Sequence, residues 1–110
     1  MVIEDEGHIY KLDNQTTIGN TCTLTFYKDS ETHNNGHLGT SNQEVLRALI
    51  DRVKYLDNED PNPLNKEIIR NLRETLILHE IKHLEDMVKT NHPVEKIKPY
   101  VDGHLIKPLD

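Results

Sequence analysis

One pentapeptide of the chain has the residue types and spacing of a metal site. His79-Glu80-Ile81-Lys82-His83 matches HExxH, in which two imidazoles one helical turn apart hold Zn²⁺ and the glutamate activates a bound water. Lys82 and Glu85, however, place charges where such helices are usually apolar. A third ligand would have to come from the tail, from His92, Glu95, Asp102 or His104. A zinc metallopeptidase using His79 and His83 is therefore one alternative, and two histidines that simply face the first helix or a subunit contact are another.

A second candidate site is the start of the first predicted helix. Free N–H groups, the positive end of the helix dipole and the polar side chains of Thr40, Ser41 and Asn42 are suited to binding phosphate. Simple capping of the helix is the alternative explanation for the same residues.

Cations and aromatic rings near this helix extend the candidate site. Four arginines offer fork-shaped donors to phosphate: Arg47, Arg52, Arg70 and Arg73. Charged helix faces are also commonly just solvated. Phe26 and Tyr55 offer rings that can stack on a base, although Phe26 also fits a hydrophobic core. These residues together would contact both the phosphates and the base of a nucleotide.

The elements that position these residues are a short β region followed by two helices. We predict strands at residues 8–12 and 16–27, because Cys22, Leu24 and Phe26 alternate with threonines. Ser41 and Glu44 form a capping-box pattern that opens a first helix, which runs to about Asn58.

A second helix is predicted from Pro63 to about Asn91, ahead of Pro93. The short connection between the helices predicts an antiparallel hairpin over residues 41–91. The fold class is therefore α+β in one domain, 1–110, with a β region at 8–27 and a C-terminal extension at 92–110.

The unequal helix lengths predict self-association. About ten residues of the second helix should extend past the first, given a rise of about 1.5 Å per residue. Apolar residues of the second helix also lie nearly opposite the face that packs on the first: Ile77, Ile81, Leu84 and Val88. A second apolar face needs a partner, and another copy of the chain is the simplest one. We expect a homo-oligomer, a dimer or a larger assembly such as a hexamer.

Composition limits the remaining function classes. The net charge of −6 argues against non-specific DNA binding, and the sequence contains no apolar run long enough to span a membrane. The single cysteine, Cys22, cannot form an internal disulfide, and the acidic N-terminus has no signal-peptide pattern. These features predict a cytoplasmic protein.

The stretch from Gly39 to Leu56, GTSNQEVLRALIDRVKYL, resembles the helical hairpin of phage proteins that counter nucleotide-signal immunity in bacteria. Further matching positions are Pro61, Asn65, Leu72, Glu74 and Leu76. The chain is similar to the Thoeris anti-defence sponges of the first type, whose hairpin is shared with anti-CBASS sponges. The β region before the hairpin favours the Thoeris type over the all-helical one, and the resemblance covers roughly residues 20–90.

The resemblance implies a sponge that binds and holds a signal without cleaving it. The expected ligand is a cyclic ADP-ribose isomer made by TIR-domain enzymes, with other cyclic nucleotides as further ligands, and no cofactor is needed. The family's loop and helix-start positions match Thr40, Ser41 and Asn42, and its hairpin arginine matches Arg52. After Leu78 this chain departs from the family, which usually has a basic, glycine-containing segment there. A protein-interaction adaptor that binds no nucleotide is the other alternative.

Overall fold

The computed structural model describes residues 1–16, 19–89, 100–101 and 104–105. They form a three-stranded antiparallel sheet, then two helices, then a two-stranded sheet, so the fold is α+β with an N-terminal sheet as predicted. The chain divides into two compact units, Met1–Ser41 and Asn42–Asp110. Neither described helix is long and apolar enough to cross a lipid bilayer.

The N-terminal sheet has the strand order β1-β2-β3. Its strands are β1 (Val2–Asp5), β2 (Ile9–Asp13) and β3 (Thr21–Thr25). Strand β2 agrees with the predicted strand at 8–12 to within one residue. Strand β1 was not predicted, because two of its four residues are acidic and hide the β signal of Val2 and Ile3.

Strand β3 is shorter than the strand predicted at residues 16–27. The chain leaves β2 at Asn14, whose N–H donates to the carbonyl oxygen of Asn20 at 3.1 Å and closes the turn at this point. Gly19 has a φ of +87°, in the left-handed region that glycine enters without steric cost. The turn is therefore longer than residues 13–15, the gap between the two predicted strands, and β3 begins only at Thr21.

The sheet register groups the apolar residues on one face. Tyr10 lies opposite Leu24 and Leu12 lies opposite Cys22, so the alternation read from the sequence is present. Leu24 is half-buried, whereas Cys22 is exposed. In the described part of Met1–Ser41 no side chain is fully buried.

The two helices match their predicted bounds closely. Helix α1 is Asn42–Glu59, and helix α2 is Pro63–Lys89, with residues 90 and 91 of the predicted helix outside the described residues. Asn62 caps α2, because its Oδ1 accepts the Leu64 N–H at 2.9 Å, and Pro63 occupies the first helical position.

The short connection between the helices is fastened by Asp57. Its Oδ1 accepts the Asn62 N–H at 3.0 Å and an Nδ2–H of Asn65 at 3.1 Å. These bonds favour the ionised carboxylate and lower the pKa of Asp57 below its ordinary value. One carboxylate thus joins the end of α1 to the start of α2.

The hairpin core is centred on Ile50 from α1 and Leu76 from α2, which are fully buried. The helices are antiparallel, since Arg47 contacts Glu80 while Asp57 contacts Asn65. With this pairing α1 begins opposite about residue 85 of α2, so only about five described residues of α2 extend past α1, fewer than the ten expected.

The C-terminal region contains two short strands that the sequence did not predict, β4 (Tyr100–Val101) and β5 (His104–Leu105), which pair antiparallel. The rest of the predicted extension at 92–110 lies outside the described residues, as do the side chains of the four third-ligand candidates in the tail.

Candidate functional site

The first residue of the predicted anion site, Thr40, is tied to the sheet. The N–H of Thr40 donates to the carbonyl oxygen of Thr25 at 2.9 Å, and the Thr40 carbonyl oxygen accepts the Tyr27 N–H at 3.0 Å. A Cβ at Gly39 would lie 2.6 Å from the nitrogen of Tyr27, so the chain's own close packing requires this glycine. A phosphate at the start of α1 would therefore rely on groups other than the Thr40 N–H.

The other two residues of this predicted site are exposed. Ser41 ends the first compact unit, and Asn42 is the first residue of α1 in the second unit. Their exposure leaves them accessible to a ligand.

Arg47 joins the two helices. One guanidinium nitrogen lies 2.7 Å from Oε1 of Glu80 on α2, and another lies 3.5 Å from Oε2 of Glu44 on α1. The side chains of Arg47 and Glu80 are only 15% and 21% exposed. This interhelical ion pair gives Arg47 a structural role in the hairpin.

Arg52 and Tyr55 are brought together on the surface of α1. The guanidinium carbon of Arg52 lies 5.8 Å from the centre of the Tyr55 ring, within the range of a cation–π contact. Both residues are exposed, Tyr55 by 55%. Around the helix, Arg52 lies about 140° from Arg47, so these two arginines do not face one pocket.

The two arginines of α2 are exposed. Arg70 lies 2.6 Å from Oε2 of Glu67, three residues earlier on the same helix. Arg73 is also exposed, about 60° around the helix from Arg70. An anion that binds Arg70 must compete with the Glu67 carboxylate.

Phe26 packs within the sheet unit. Its ring lies edge-on to the ring of Tyr10, with centroids 5.9 Å apart and an interplanar angle of 86°, and the side chain is half-buried. This contact favours the core interpretation of Phe26, and among the predicted stacking residues Tyr55 is the exposed one.

The HExxH residues lie on α2 as predicted. Glu80 is bound by Arg47, so the carboxylate that would activate a water is already engaged by a guanidinium. His79 is half-buried and His83 is exposed. Within residues 1–16 and 19–89, no three side chains of the metal-binding types lie close enough to hold a metal ion.

A polar cluster in the sheet unit was missed by sequence reasoning. The His8 ring contacts those of His33 and His37, with centroids 5.4 and 6.2 Å away. Beside them, Asp5 Oδ2 accepts from Lys28 Nζ at 3.0 Å, and these contacts with a cation lower the pKa of Asp5. The three histidines are up to 29 positions apart, and only the fold of the loop after β3 unites them.

A pocket of about 280 Å³ opens next to this cluster. It is lined by Tyr27, Lys28, Ser30, Gly36, His37 and Leu38. The backbone bonds between Lys28 and His37 close the loop that forms it, at 3.0 and 2.9 Å.

Comparison with known proteins gives no match: no protein-family model, no curated protein and no solved structure is significantly similar to the chain.

Proposed function

We propose that the chain is a phage anti-immune sponge that sequesters a cyclic ADP-ribose isomer made by TIR-domain enzymes. It acts in the cytoplasm of the infected bacterial cell, where it lowers the free signal and so inhibits Thoeris defence. It cleaves no bond. The proposal rests on the resemblance over residues 20–90 and on an architecture of the expected order, a small sheet followed by a long helical hairpin.

The observation that carries the proposal furthest is the pairing of Arg52 with Tyr55. A cation can bind the phosphates of a nucleotide and an aromatic ring can stack on its base, and these two groups lie 5.8 Å apart on one exposed helix face. The guanidinium can bind a phosphate through two parallel hydrogen bonds, and the ring can stack on the adenine. We therefore place the main ligand contacts on Arg52 and Tyr55.

The remaining predicted ligand residues have lesser roles in this proposal. Asn42 and Arg73 are exposed side chains of the hairpin and are the further polar contacts of this proposal, and Ser41 is exposed as well. Arg47 holds the hairpin together through Glu80, and Phe26 belongs to the packing of the sheet. Arg70 contributes only where a ligand phosphate displaces Glu67.

Self-association would support sequestration, because a second copy of the chain can cover a ligand site that is open to solvent in one copy. Four apolar residues of α2 follow heptad-like spacing and are exposed by 36 to 58%: Ile77, Ile81, Leu84 and Val88. Covering this stripe with a second copy would remove apolar surface from water. A ligand held between two copies would be released slowly, which is what sequestration requires.

The proposal is tested by calorimetry with cyclic ADP-ribose isomers, followed by heat denaturation of the complex and chromatography of the released ligand. We expect tight binding and recovery of the intact ligand. Arg52→Ala and Tyr55→Ala should each weaken binding about tenfold or more, because phosphate pairing and base stacking are lost. Lys82→Ala removes an exposed cation elsewhere on the hairpin and is the matched control.

Each outcome discriminates between the function classes. Recovery of a cleaved product would show that the protein is an enzyme and not a sponge. Loss of that cleavage in Glu80→Gln would identify the zinc peptidase. Absence of binding to every cyclic nucleotide would favour a protein-interaction adaptor. If Arg52→Ala, Tyr55→Ala and the control bind the ligand with equal affinity, the assignment of Arg52 and Tyr55 as ligand contacts is contradicted.

A further inference from the structure

Strand β3 forms one edge of the N-terminal sheet, and its even-numbered residues bond toward β2. Just before the strand, the Asn20 carbonyl oxygen accepts the N–H of Asn14, the residue after β2, at 3.1 Å. Just after the strand, the Phe26 N–H donates to the carbonyl oxygen of His8, the residue before β2, at 2.7 Å. Because the backbone groups of successive residues point to opposite sides of a strand, the even-numbered residues between these two bonds face β2 in the same way.

The odd-numbered residues of β3 point away from β2. At the end of the strand, the Thr25 carbonyl oxygen already accepts the N–H of Thr40 at 2.9 Å on that outer side. Thr21 and Thr23 point the same way, and no residue that the structure describes bonds to their outward N–H and C=O groups. Both threonines are exposed, as is Cys22 between them. The open part of this edge is therefore the segment from Thr21 to Thr23.

The opposite edge of the sheet is protected against pairing, whereas β3 is not. Strand β1 carries Glu4 and Asp5, and its register is irregular between Ile3 and Asp5. Charges and irregularities of this kind are common means by which an edge strand avoids adding a further strand. Strand β3, TCTLT, pairs regularly with β2 and contains no charged residue, proline or glycine. It is therefore the edge that can add a strand from a partner.

We infer that β3 pairs antiparallel with β3 of a second copy of the chain, with Cys22 of both copies at the two-fold axis. In this register Thr21 lies opposite Thr23 of the second copy, and Thr23 lies opposite its Thr21. Both pairs can exchange their N–H···O bonds, because all of these groups point outward. The pairing satisfies the whole open edge, and it depends neither on the proposed ligand nor on the apolar stripe of α2.

The bonds already made at the ends of β3 exclude the neighbouring symmetric registers. A two-fold axis at Thr23 would pair Thr21 with Thr25, whose carbonyl oxygen is taken by Thr40. An axis at Thr21 would pair Thr23 with Gly19, which lies in the turn before the strand and has a φ of +87°. An axis between them, at residue 22, uses both open threonines and neither of these residues.

The charges of the two copies are complementary in the same register. Within one sheet Asp13 lies opposite Thr21, and Lys11 lies opposite Thr23. Since Thr21 meets Thr23 of the second copy, each row across the joined sheets places Asp13 of one copy and Lys11 of the other at its two ends. An axis at either threonine would instead place identical charges at the ends of a row. Both charges have an ion-pair partner in their own copy, so they contribute to the choice of register more than to affinity.

The other face of the joined sheets is apolar at the axis and carries a chemical reporter. Leu12 lies opposite Cys22 in its own sheet, so a row of Leu12, the two cysteines and the second Leu12 would cross the interface. Cys22 would form a pair without backbone bonds between its members, for which Cα atoms lie about 4.5 Å apart. This separation is within the range of about 4.4–6.8 Å that a disulfide bridges.

The interface is tested by crosslinking the whole chain with diamide, which accepts the hydrogen atoms that two thiols lose when they form a disulfide. Wild-type protein should give a dimer through Cys22 that thiols reverse. The matched controls move the cysteine by one position, in Thr21→Cys/Cys22→Ser and in Thr23→Cys/Cys22→Ser, because neither position faces itself across the axis. Each control alone should crosslink about tenfold more slowly or less, since only thiols paired within a dimer react at a high effective concentration. A mixture of the two controls should regain the crosslink, because position 21 faces position 23.

A proline variant tests the hydrogen bonds of the interface. Thr23→Pro removes an N–H that points away from β2, so the sheet should keep its own bonds while the pairing between copies is lost. Crosslinking through Cys22 should then slow by about tenfold, as for thiols that meet only by diffusion. Thr23→Val keeps the N–H and should crosslink at the wild-type rate. Hydrogen-exchange protection of the Leu24 N–H, which faces β2, shows that the sheet of each variant is intact.

The outcomes separate this interface from its alternatives. Equal crosslinking rates for cysteines at positions 21, 22 and 23 would overturn the inference, because random collisions of exposed thiols would then explain the dimer. Absence of a Cys22 crosslink in folded protein would also overturn it and would leave the edge to a strand of a different protein. If Thr23→Pro loses the protection of Leu24, the comparison of the three cysteine positions decides. No nucleotide is present in the experiment, so its failure leaves the proposed function unaffected.

Discussion

The helical hairpin and the N-terminal sheet are stabilised in different ways. The hairpin buries Ile50 and Leu76 completely and fastens its connection through Asn62 and Asp57. In the described part of Met1–Ser41 no side chain is fully buried, and the contacts are backbone pairing, half-buried rings and the Asp5–Lys28 ion pair. Apolar burial is sensitive to the loss of side-chain volume, whereas the sheet unit depends on backbone pairing and on close approach of its chain segments, so the two units should react to different perturbations.

The largest expected effect comes from emptying the hairpin core. Leu76→Ala should lower the free energy of unfolding by about 2–5 kcal/mol, because it removes a buried side chain and leaves a cavity. Urea denaturation followed by helical circular dichroism measures this change. Leu78→Ala, at a side chain that is 67% exposed, should change stability by less than about 0.5 kcal/mol. Similar effects of the two variants would contradict the assignment of the core.

A smaller effect is expected from crowding the sheet unit at Gly39. In Gly39→Ala the new Cβ would meet the backbone of Phe26 and Tyr27, and the backbone shift should lower stability by about 1–3 kcal/mol. In this variant, hydrogen exchange should show that protection of the Tyr27 and Thr40 N–H groups falls relative to the wild type, whereas protection of the α2 amides stays the same. Asn35→Ala, in the exposed part of the loop, is the control and should leave that protection unchanged.

The smallest expected effect is a difference between two carboxylates in acid. Asp5 and Asp57 both have a pKa below the ordinary 3.8, Asp5 chiefly through its bond from Lys28 and Asp57 chiefly through the Asn62 N–H. Each group therefore stabilises the fold above pH 3.8, and the contribution is lost as the pH falls through its lowered pKa. Lys28→Ala should raise the pKa of Asp5 toward 3.8 and leave that of Asp57 unchanged, as carboxyl-carbon NMR would measure. A rise at both positions would contradict the assignment of Lys28 as the specific partner of Asp5.

The sequence predicted the hairpin better than the sheet because its signals are local. Capping residues and Pro63 define the helix ends, and the short connection between them predicts the hairpin. Strand β1 was hidden by its two acidic residues, and the long turn before β3 lies within a stretch that was predicted as strand. The contact of His8 with His33 joins residues 25 positions apart, which no short window records.

The candidate ligand residues illustrate the same limit. The spacing of Arg52 and Tyr55, three apart on a helix, already predicts that they are neighbours, and the structure places them in contact. Nothing in the sequence around Arg47 reveals that its partner is Glu80, 33 residues away. Residue type suggests what a side chain can bind, but the fold decides whether it is already bound.

The Arg47–Glu80 contact also has a consequence for engineering. Helix α2 carries the HExxH sequence of zinc peptidases, but the Arg47 guanidinium from α1 binds Glu80, the carboxylate that this chemistry requires. Building hydrolytic zinc chemistry on this scaffold would require the replacement of Arg47, which would also remove the ion pair that joins α1 to α2 at Glu80.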